Sequence, residues 1–302
     1  MYNADNSIER CLASVLQDAT ADIEVLCVDD GSVDSTVDKV ETIAQADKRV
    51  KLLKLNHTGV SAARNAGLCE ITGEFVAFVD ADDALTYGAV TKIDALLREH
   101  KCDCLTFGGY AAGNSERAKV ITANLQLPDA LYTDTDITEK ALFDVPSCDL
   151  FVWNKVFSSK LIKDNNILFD ANILLGEDRI FVFECMLHSN KLVSTSDKLY
   201  IYTADSNNSI TKTYVNQHFV KSEIHLTVVD RIFAICSKQE RVSALATYRL
   251  LNWAASYVYR PRKEQYLPQQ KAAIITAFEQ SVKRHYPQAT LTVTNEGIVV
   301  HI

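Results

Sequence analysis

The sequence predicts an α/β protein: a mostly parallel sheet with helices on both faces, followed by a helical extension. Short apolar runs alternate with segments of helical periodicity through the first 110 residues. Two of those runs stop at acidic clusters, Asp29-Asp30-Gly31-Ser32 and Asp80-Ala81-Asp82-Asp83. After Thr211 the strand signals give way to long amphipathic patterns.

Taken in order, Ile8, Cys11, Leu12, Val15 and Leu16 share one helical face, with Asn6 or Ser7 placed to cap it. Residues 23–28 are apolar and β-branched and end in turn residues, the pattern of a buried strand entering a loop. Residues 35–46 read as a helix, 50–55 as a strand, and 62–71 as a helix stopped by Gly73. Residues 75–79 form a third apolar strand, 89–100 a helix and 104–110 a strand. Between 111 and 136 the pattern weakens, and loops with a hairpin are expected. Residues 151–162 are mixed and apolar around Trp153; 177–188 read as a helix and 191–202 as a strand. Helices are expected over 214–237, 241–259 and 268–285, and a terminal strand over 291–302.

Composition narrows the function. The chain has 302 residues, 47% of them hydrophobic, enough to bury a large core. Its formal net charge of −8 argues against a nucleic-acid binder, which needs Lys and Arg to neutralise phosphates. No apolar run reaches the ~18 residues of a membrane-spanning helix, and the N-terminus lacks the pattern of a signal peptide. A cytoplasmic protein is expected. The eight cysteines, Cys148 among them, form no CxxC pair and sit mostly among apolar neighbours, so they read as reduced, buried small hydrophobes.

In parallel α/β sheets ligands bind outside the carboxyl ends of the strands. Both acidic clusters therefore fall on one rim. Carboxylates at Asp80 and Asp82 suit a hard divalent cation with substrate phosphates completing its shell; the plain alternative is a turn that ends a strand. A carboxylate at Asp30 suits hydrogen bonding to a base or ribose, or an Asx turn. Arg64, in the small-residue segment Gly59-Val60-Ser61-Ala62-Ala63-Arg64-Asn65-Ala66-Gly67, suits a phosphate or a structural ion pair. Gly176-Glu177-Asp178 opens a helix, whose dipole favours an ionised carboxylate fit to act as a base, or simply as a cap. Trp153 reads as packing and His57 as loop structure.

In sequence order, YNADNSIERCLASVL, IEVLCVDDGSVDST, GVSAARNAGL, GEFVAFVDADD, WNKVF and GEDRIFVF, followed by Tyr202 and NNSIT, resemble the family 2 glycosyltransferases of GT-A, Rossmann-like fold, over about residues 2–211. The resemblance implies a catalytic unit over 1–211, with a nucleotide-sugar-binding half (1–110) and an acceptor half (111–211), and a helical extension over 212–302. It implies transfer of a hexosyl group from a nucleoside-diphosphate sugar to an acceptor hydroxyl, with inversion, in surface polysaccharide or glycoconjugate synthesis. Tyr2 would lie beside the base, Asp30 would accept from it, and Asp29 would support that loop. Arg64 and Asn65 would flank the nucleotide. Asp80 would approach the ribose or the metal, Asp82 would hold Mn2+ or Mg2+, and Asp83 would sit near the donor sugar. Asp178 would be the general base, with Glu177 as the alternative. The acceptor would be a saccharide or lipid-linked saccharide. Peripheral contact with the inner membrane face through residues 260–263, and a homodimer through the C-terminal helices, are further expectations.

The chain departs from that family in one respect. It starts at Met1-Tyr2-Asn3, where relatives carry an apolar strand central to the sheet. Absence of that strand would leave two neighbouring strands unpaired. Residues encoded upstream, a truncation, or a filler such as residues 291–302 are the competing accounts. An inactive nucleotide-sugar-binding or scaffold protein of the same fold is the alternative function. A nucleotidyltransferase would need a Gly- and Lys/Arg-rich phosphate loop near the N-terminus, and none is present.

Overall fold

The computed structural model describes residues 1–17, 22–113, 115–142, 151–173, 175–204, 218–259, 268–294 and 298–301. The expectations placed on Cys148, on residues 207–211 and on the basic cluster at 260–263 lie outside them.

The first 110 residues alternate as predicted, with β4 an unpredicted addition: α1 (Ile8–Leu16), β1 (Val25–Asp29), α2 (Thr36–Ala46), β2 (Val50–Lys54), α3 (Val60–Glu70), β3 (Phe75–Ala77), β4 (Ala84–Leu85), α4 (Ala89–His100) and β5 (Cys104–Ala112). Ile8, Cys11 and Leu12 are buried, so the apolar face of α1 is the one its periodicity marks. β1 and β2 pair in parallel. A larger sheet runs β3-β7-β5-β8-β4, where β7 is Lys155–Ser158 and β8 is Lys191–Thr203.

The class is α/β with a central sheet flanked by helices, and its pairings are mixed. β7 runs antiparallel to both β3 and β5, while β5 and β8 pair in parallel. β3 and β5 thus run in one direction, whereas β4, antiparallel to β8, runs against them. The antiparallel element is inserted from residues 155–158, a mixed apolar stretch whose direction no local pattern encodes.

Residues 111–136 differ from the expected loops. They form α5 (Glu116–Asn124), capped by Ser115 Oγ, which accepts from Ala118 N–H at 3.2 Å, and β6 (Ala130–Thr133), antiparallel to β8. Ala118, Ile121 and Leu125 face inward while Val120 is exposed, so α5 has too thin an apolar stripe to announce itself. A short helix, α6 (Ser159–Asp164), follows β7.

α7 (Glu177–His188) is buried along nearly its whole length. The extension, α8 (His218–Cys236), α9 (Ala244–Tyr259) and α10 (Pro268–His285), shares one apolar core with it: Phe233, Leu251 and Phe278 pack in the same cluster as Phe181 and Met186. Residues 291–302 are not a lone strand. β9 (Thr290–Val293) and β10 (Ile298–His301) form an antiparallel hairpin joined to α9, where Asn252 Nδ2–H donates to the Val300 carbonyl at 3.4 Å.

Among the described residues β1 pairs only with β2, and β3 only with β7. The facing edges of β1 and β3 flank a slot walled by Leu26 and Val28 on one side and Val76 and Phe78 on the other, part of a cavity of about 2080 Å³ in all. Glu24 closes its floor, accepting from Thr72 N–H at 2.6 Å and Gly73 N–H at 3.1 Å. At the top, Met1 N–H donates to the Val28 carbonyl at 2.7 Å and Asp30 N–H donates to the Met1 carbonyl at 2.9 Å. Met1 therefore forms one rung of a parallel ladder opposite Asp29. The β9–β10 hairpin does not fill this slot: no residue of either strand lines it.

Candidate active site

The slot opens upward into a cleft lined by Tyr2, Asp30, Arg64, Asp80, Asp82, Glu177 and Asp178. Residues from three distant parts of the chain thus share one cavity.

At one end, β1 runs into the turn at Asp29-Asp30. Asp29 is buried and holds the turn: Oδ2 accepts from Gly31 N–H at 3.1 Å and Ser32 N–H at 3.0 Å, and Oδ1 from Ser32 Oγ–H at 2.5 Å. Gly31 has φ of 80°, and a Cβ there would come within 3.1 Å of the His57 nitrogen, so the turn requires glycine. Asp30 borders the cleft, but its oxygens already accept from Thr58 N–H (2.6 Å) and Gly59 N–H (2.9 Å). The Tyr2 ring is 47% exposed and lies 4.6 Å from the His57 ring, which makes a two-ring ledge above Asp30. His57 was not expected in the site. Its φ of 52° is the one signal, since a non-glycine residue seldom adopts it without cause.

At the centre, the segment after β3 is clamped from below by β8. Tyr200 Oη accepts from Asp80 N–H at 3.1 Å and donates to Asp83 Oδ2 at 2.8 Å. Thr203 N–H donates to Asp83 Oδ1 at 2.7 Å, and Thr203 Oγ1–H to the Asp82 carbonyl at 2.6 Å. Asp83 is only 1% exposed, so it faces the sheet rather than a donor sugar. The cause is local: β4 pairs with Tyr200 and Ile201, which turns the preceding side chain inward. Burial and the neighbouring Asp80 charge push the Asp83 carboxyl up to about 7, against the opposing Thr203 N–H. Tyr200 and Thr203 are site residues that no motif marks, and only the alternation along β8 hints at them.

Arg64 links the centre to the other end. Its guanidinium donates to Glu177 Oε1 at 2.9 Å and reaches Asp80 Oδ1 at 3.4 Å, beneath the Phe169 ring. Asn65 turns the other way: its amide donates to the Phe169 carbonyl and accepts from Phe169 N–H, both at 2.8 Å. Asn65 is therefore a tie between α3 and the segment before α7, not a cleft residue.

Glu177 and Asp178 open α7 and border the cleft. Asp178 Oδ1 accepts from Arg179 N–H at 2.8 Å. The helix dipole was expected to keep these carboxylates ionised, but burial wins. It pushes the Asp178 carboxyl up, against Arg179 and Arg64, and pushes Glu177 up as well, against the paired Arg64.

Among the described residues no three His, Cys, Asp or Glu side chains cluster to hold a metal ion. Asp80 and Asp82 both border the cleft, and Asp80 Oδ1 lies 3.4 Å from the Arg64 guanidinium. Trp153 packs as expected, stacked on Tyr200 at 4.6 Å and Phe151 at 5.1 Å. Lys155 is buried, with Nζ donating to the Phe151 carbonyl at 2.9 Å. No helix among the described residues is long and apolar enough to cross a membrane.

Fold and cleft together define an α/β protein with a ligand cleft at its strand carboxyl ends. Residues 1–153 match glycosyl transferase family 2, and the chain belongs to that family. It is 27% identical over 226 residues to EpsJ of Bacillus subtilis (strain 168), an uncharacterized glycosyltransferase, covering 73% of this chain and 65% of EpsJ. It is also 27% identical over 251 residues to the poly(ribitol-phosphate) beta-N-acetylglucosaminyltransferase TarS of Staphylococcus aureus (strain Mu50 / ATCC 700699), covering 82% of this chain and 42% of TarS. The chain thus spans less than two thirds of the length of either relative. The crystal structure of S. aureus TarS 1–349 in complex with UDP-GlcNAc shares the fold, with a TM-score of 0.75 at 21% identity over 94% of this chain and 79% of that chain.

Proposed function

We propose that the chain transfers a hexosyl group from a nucleoside-diphosphate sugar to an acceptor hydroxyl, with inversion, in the synthesis of a surface polysaccharide or cell-wall glycan. The observation that carries this reading is the Arg64 bridge between Asp80 and Glu177, which brings the end of β3 and the start of α7 into one cleft with Asp30. The base lies on the Tyr2–His57 ledge and the diphosphate beside Asp82. Asp178 removes the acceptor proton as that oxygen attacks the anomeric carbon, while the bond to the diphosphate breaks and the diphosphate leaves with the electron pair. Asp82, with Asp80, would hold Mn2+ or Mg2+, which neutralises charge on the leaving diphosphate when bound. The acceptor is a saccharide or lipid-linked saccharide presented at the cytoplasmic membrane face. Because TarS has been crystallised with UDP and with UDP-GlcNAc, UDP-sugars are the donors to try first.

A donor screen tests this: UDP-, GDP-, CMP- and dTDP-sugars, with and without Mn2+, read by thermal shift and then by transfer to saccharide acceptors. A bound ligand raises stability by mass action. Failure of every donor to raise the melting temperature would overturn the reading.

A further inference from the structure

We propose that helices α8 and α9 set the working geometry of Asp178, with Val228 and Tyr257 as positioning residues that act through Gly176 and Arg179. The proposal rests on the reading of Asp178 as the general base.

Two contacts reach the first turn of α7 from the helical extension. The first is steric. Gly176, the residue before α7, has φ of 92°, and a Cβ built there would lie 2.9 Å from Val228 Cγ2. The fully buried Val228 of α8 thus occupies the space beside the Gly176 Cα and fixes where α7 starts. Glu177 and Asp178 follow directly, so their position depends on that seat.

The second contact is electrostatic. The Arg179 guanidinium lies 4.9 Å over the Tyr257 ring of α9 and 6.0 Å from the Phe151 ring. Tyr257 also packs against Trp253, at 5.1 Å and 8°, and against His225 of α8, at 4.1 Å and 21°. His225 Nδ1 also lies 3.3 Å from the Tyr257 carbonyl. A cation on this stack is restrained by the ring quadrupole. Among the described residues, Asp178 meets charge from Arg179 on its own helix, Arg64 on α3, Asp80 after β3, and Glu177 beside it. Arg179 is the one whose place depends on the extension. A third tie, Arg231 of α8 to Asp170 at 3.5 Å, anchors the same helix to the segment holding Asn65.

The test compares Tyr257→Leu, Tyr257→Phe and Arg179→Gln. The acidic limb of the kcat pH profile should move up by roughly half to one pH unit in Tyr257→Leu and in Arg179→Gln, because a cation near the carboxylate is displaced or removed. Tyr257→Phe keeps the ring and should keep the parent profile, and the donor KM should hold in all three. Val228→Ala should lower kcat with donor affinity unchanged. Carbon-13 NMR titration of the Asp178 carboxyl gives the same comparison without turnover, so the positioning role and the transferase reading can fail separately. Superimposable Asp178 titrations in the parent and Arg179→Gln, or a Tyr257→Phe variant that behaves like Tyr257→Leu, would overturn the proposal. Arg179→Gln leaves α9 untouched and serves where Tyr257→Leu does not fold.

Discussion

Arg64 and Glu177 lie 113 positions apart and meet at 2.9 Å, with Asp80 at 3.4 Å from the same guanidinium. This cation ties the acidic centre of the cleft to its α7 end. Arg64→Met keeps the volume and removes the charge, leaving Glu177 buried and unpaired. The expected cost is roughly 3 kcal/mol of stability, since breaking a buried pair strands a charge. Urea denaturation checks it; a loss under 1 kcal/mol, as at a typical surface pair, would contradict the structural role.

Asp178→Asn should abolish transfer while the nucleoside diphosphate still binds. General-base help contributes about 10²–10⁴-fold. Single-turnover transfer and calorimetry measure the two effects separately, and near-normal turnover would remove Asp178 from the role.

Asp82→Ala should weaken binding of UDP in Mn2+ and change little in its absence. Calorimetry with and without Mn2+ reads the difference. Equal affinities for the parent and the variant in Mn2+ would take Asp82 out of the metal shell.

Asp83 gives a pH signature. Its carboxyl stays protonated in the folded chain up to about 7 but ionises in the ordinary carboxylate range once unfolded. The folded state then binds more protons between those values, so this group's contribution to stability falls as pH rises from about 4 to 7. Asp83→Asn should flatten that part of the profile, although Glu177 and Asp178 slope the same way in both proteins. Parallel stability curves for the parent and the variant from pH 4 to 8 would show that Asp83 does not carry the effect.

The slot between β1 and β3 should accept a strand. The rung between Met1 and Asp29 sets the register, so four residues joined ahead of Met1 would lie opposite Val28, Cys27, Leu26 and Val25. A Val/Ile-rich tetrapeptide should raise the melting temperature, because each fully buried side chain of that size contributes about 1.5–3 kcal/mol. A Gly-Ser tetrapeptide should not. Hydrogen exchange at the β3 amides should slow in the first protein only, and equal protection in both would show that the slot takes no strand.

The sequence by itself determined most of the helices and strands of the first 110 residues, though not β4, because the burial of one face writes a period of 3.6 or 2 into the residues. It also determined that Asp30, Asp82 and Asp178 end or begin elements where a parallel α/β sheet gathers ligands. Tertiary structure alone decided which of their neighbours stay available to a ligand. Asp83 and Asn65 look equivalent to Asp82 and Arg64 in the motif, yet Tyr200, Thr203 and Phe169 occupy their polar atoms. The antiparallel entry of β7 and the contact of α8 and α9 with the first turn of α7 were likewise settled by packing. A residue's own face is a local property, whereas its hydrogen-bond partner depends on which distant strand or helix arrives beside it.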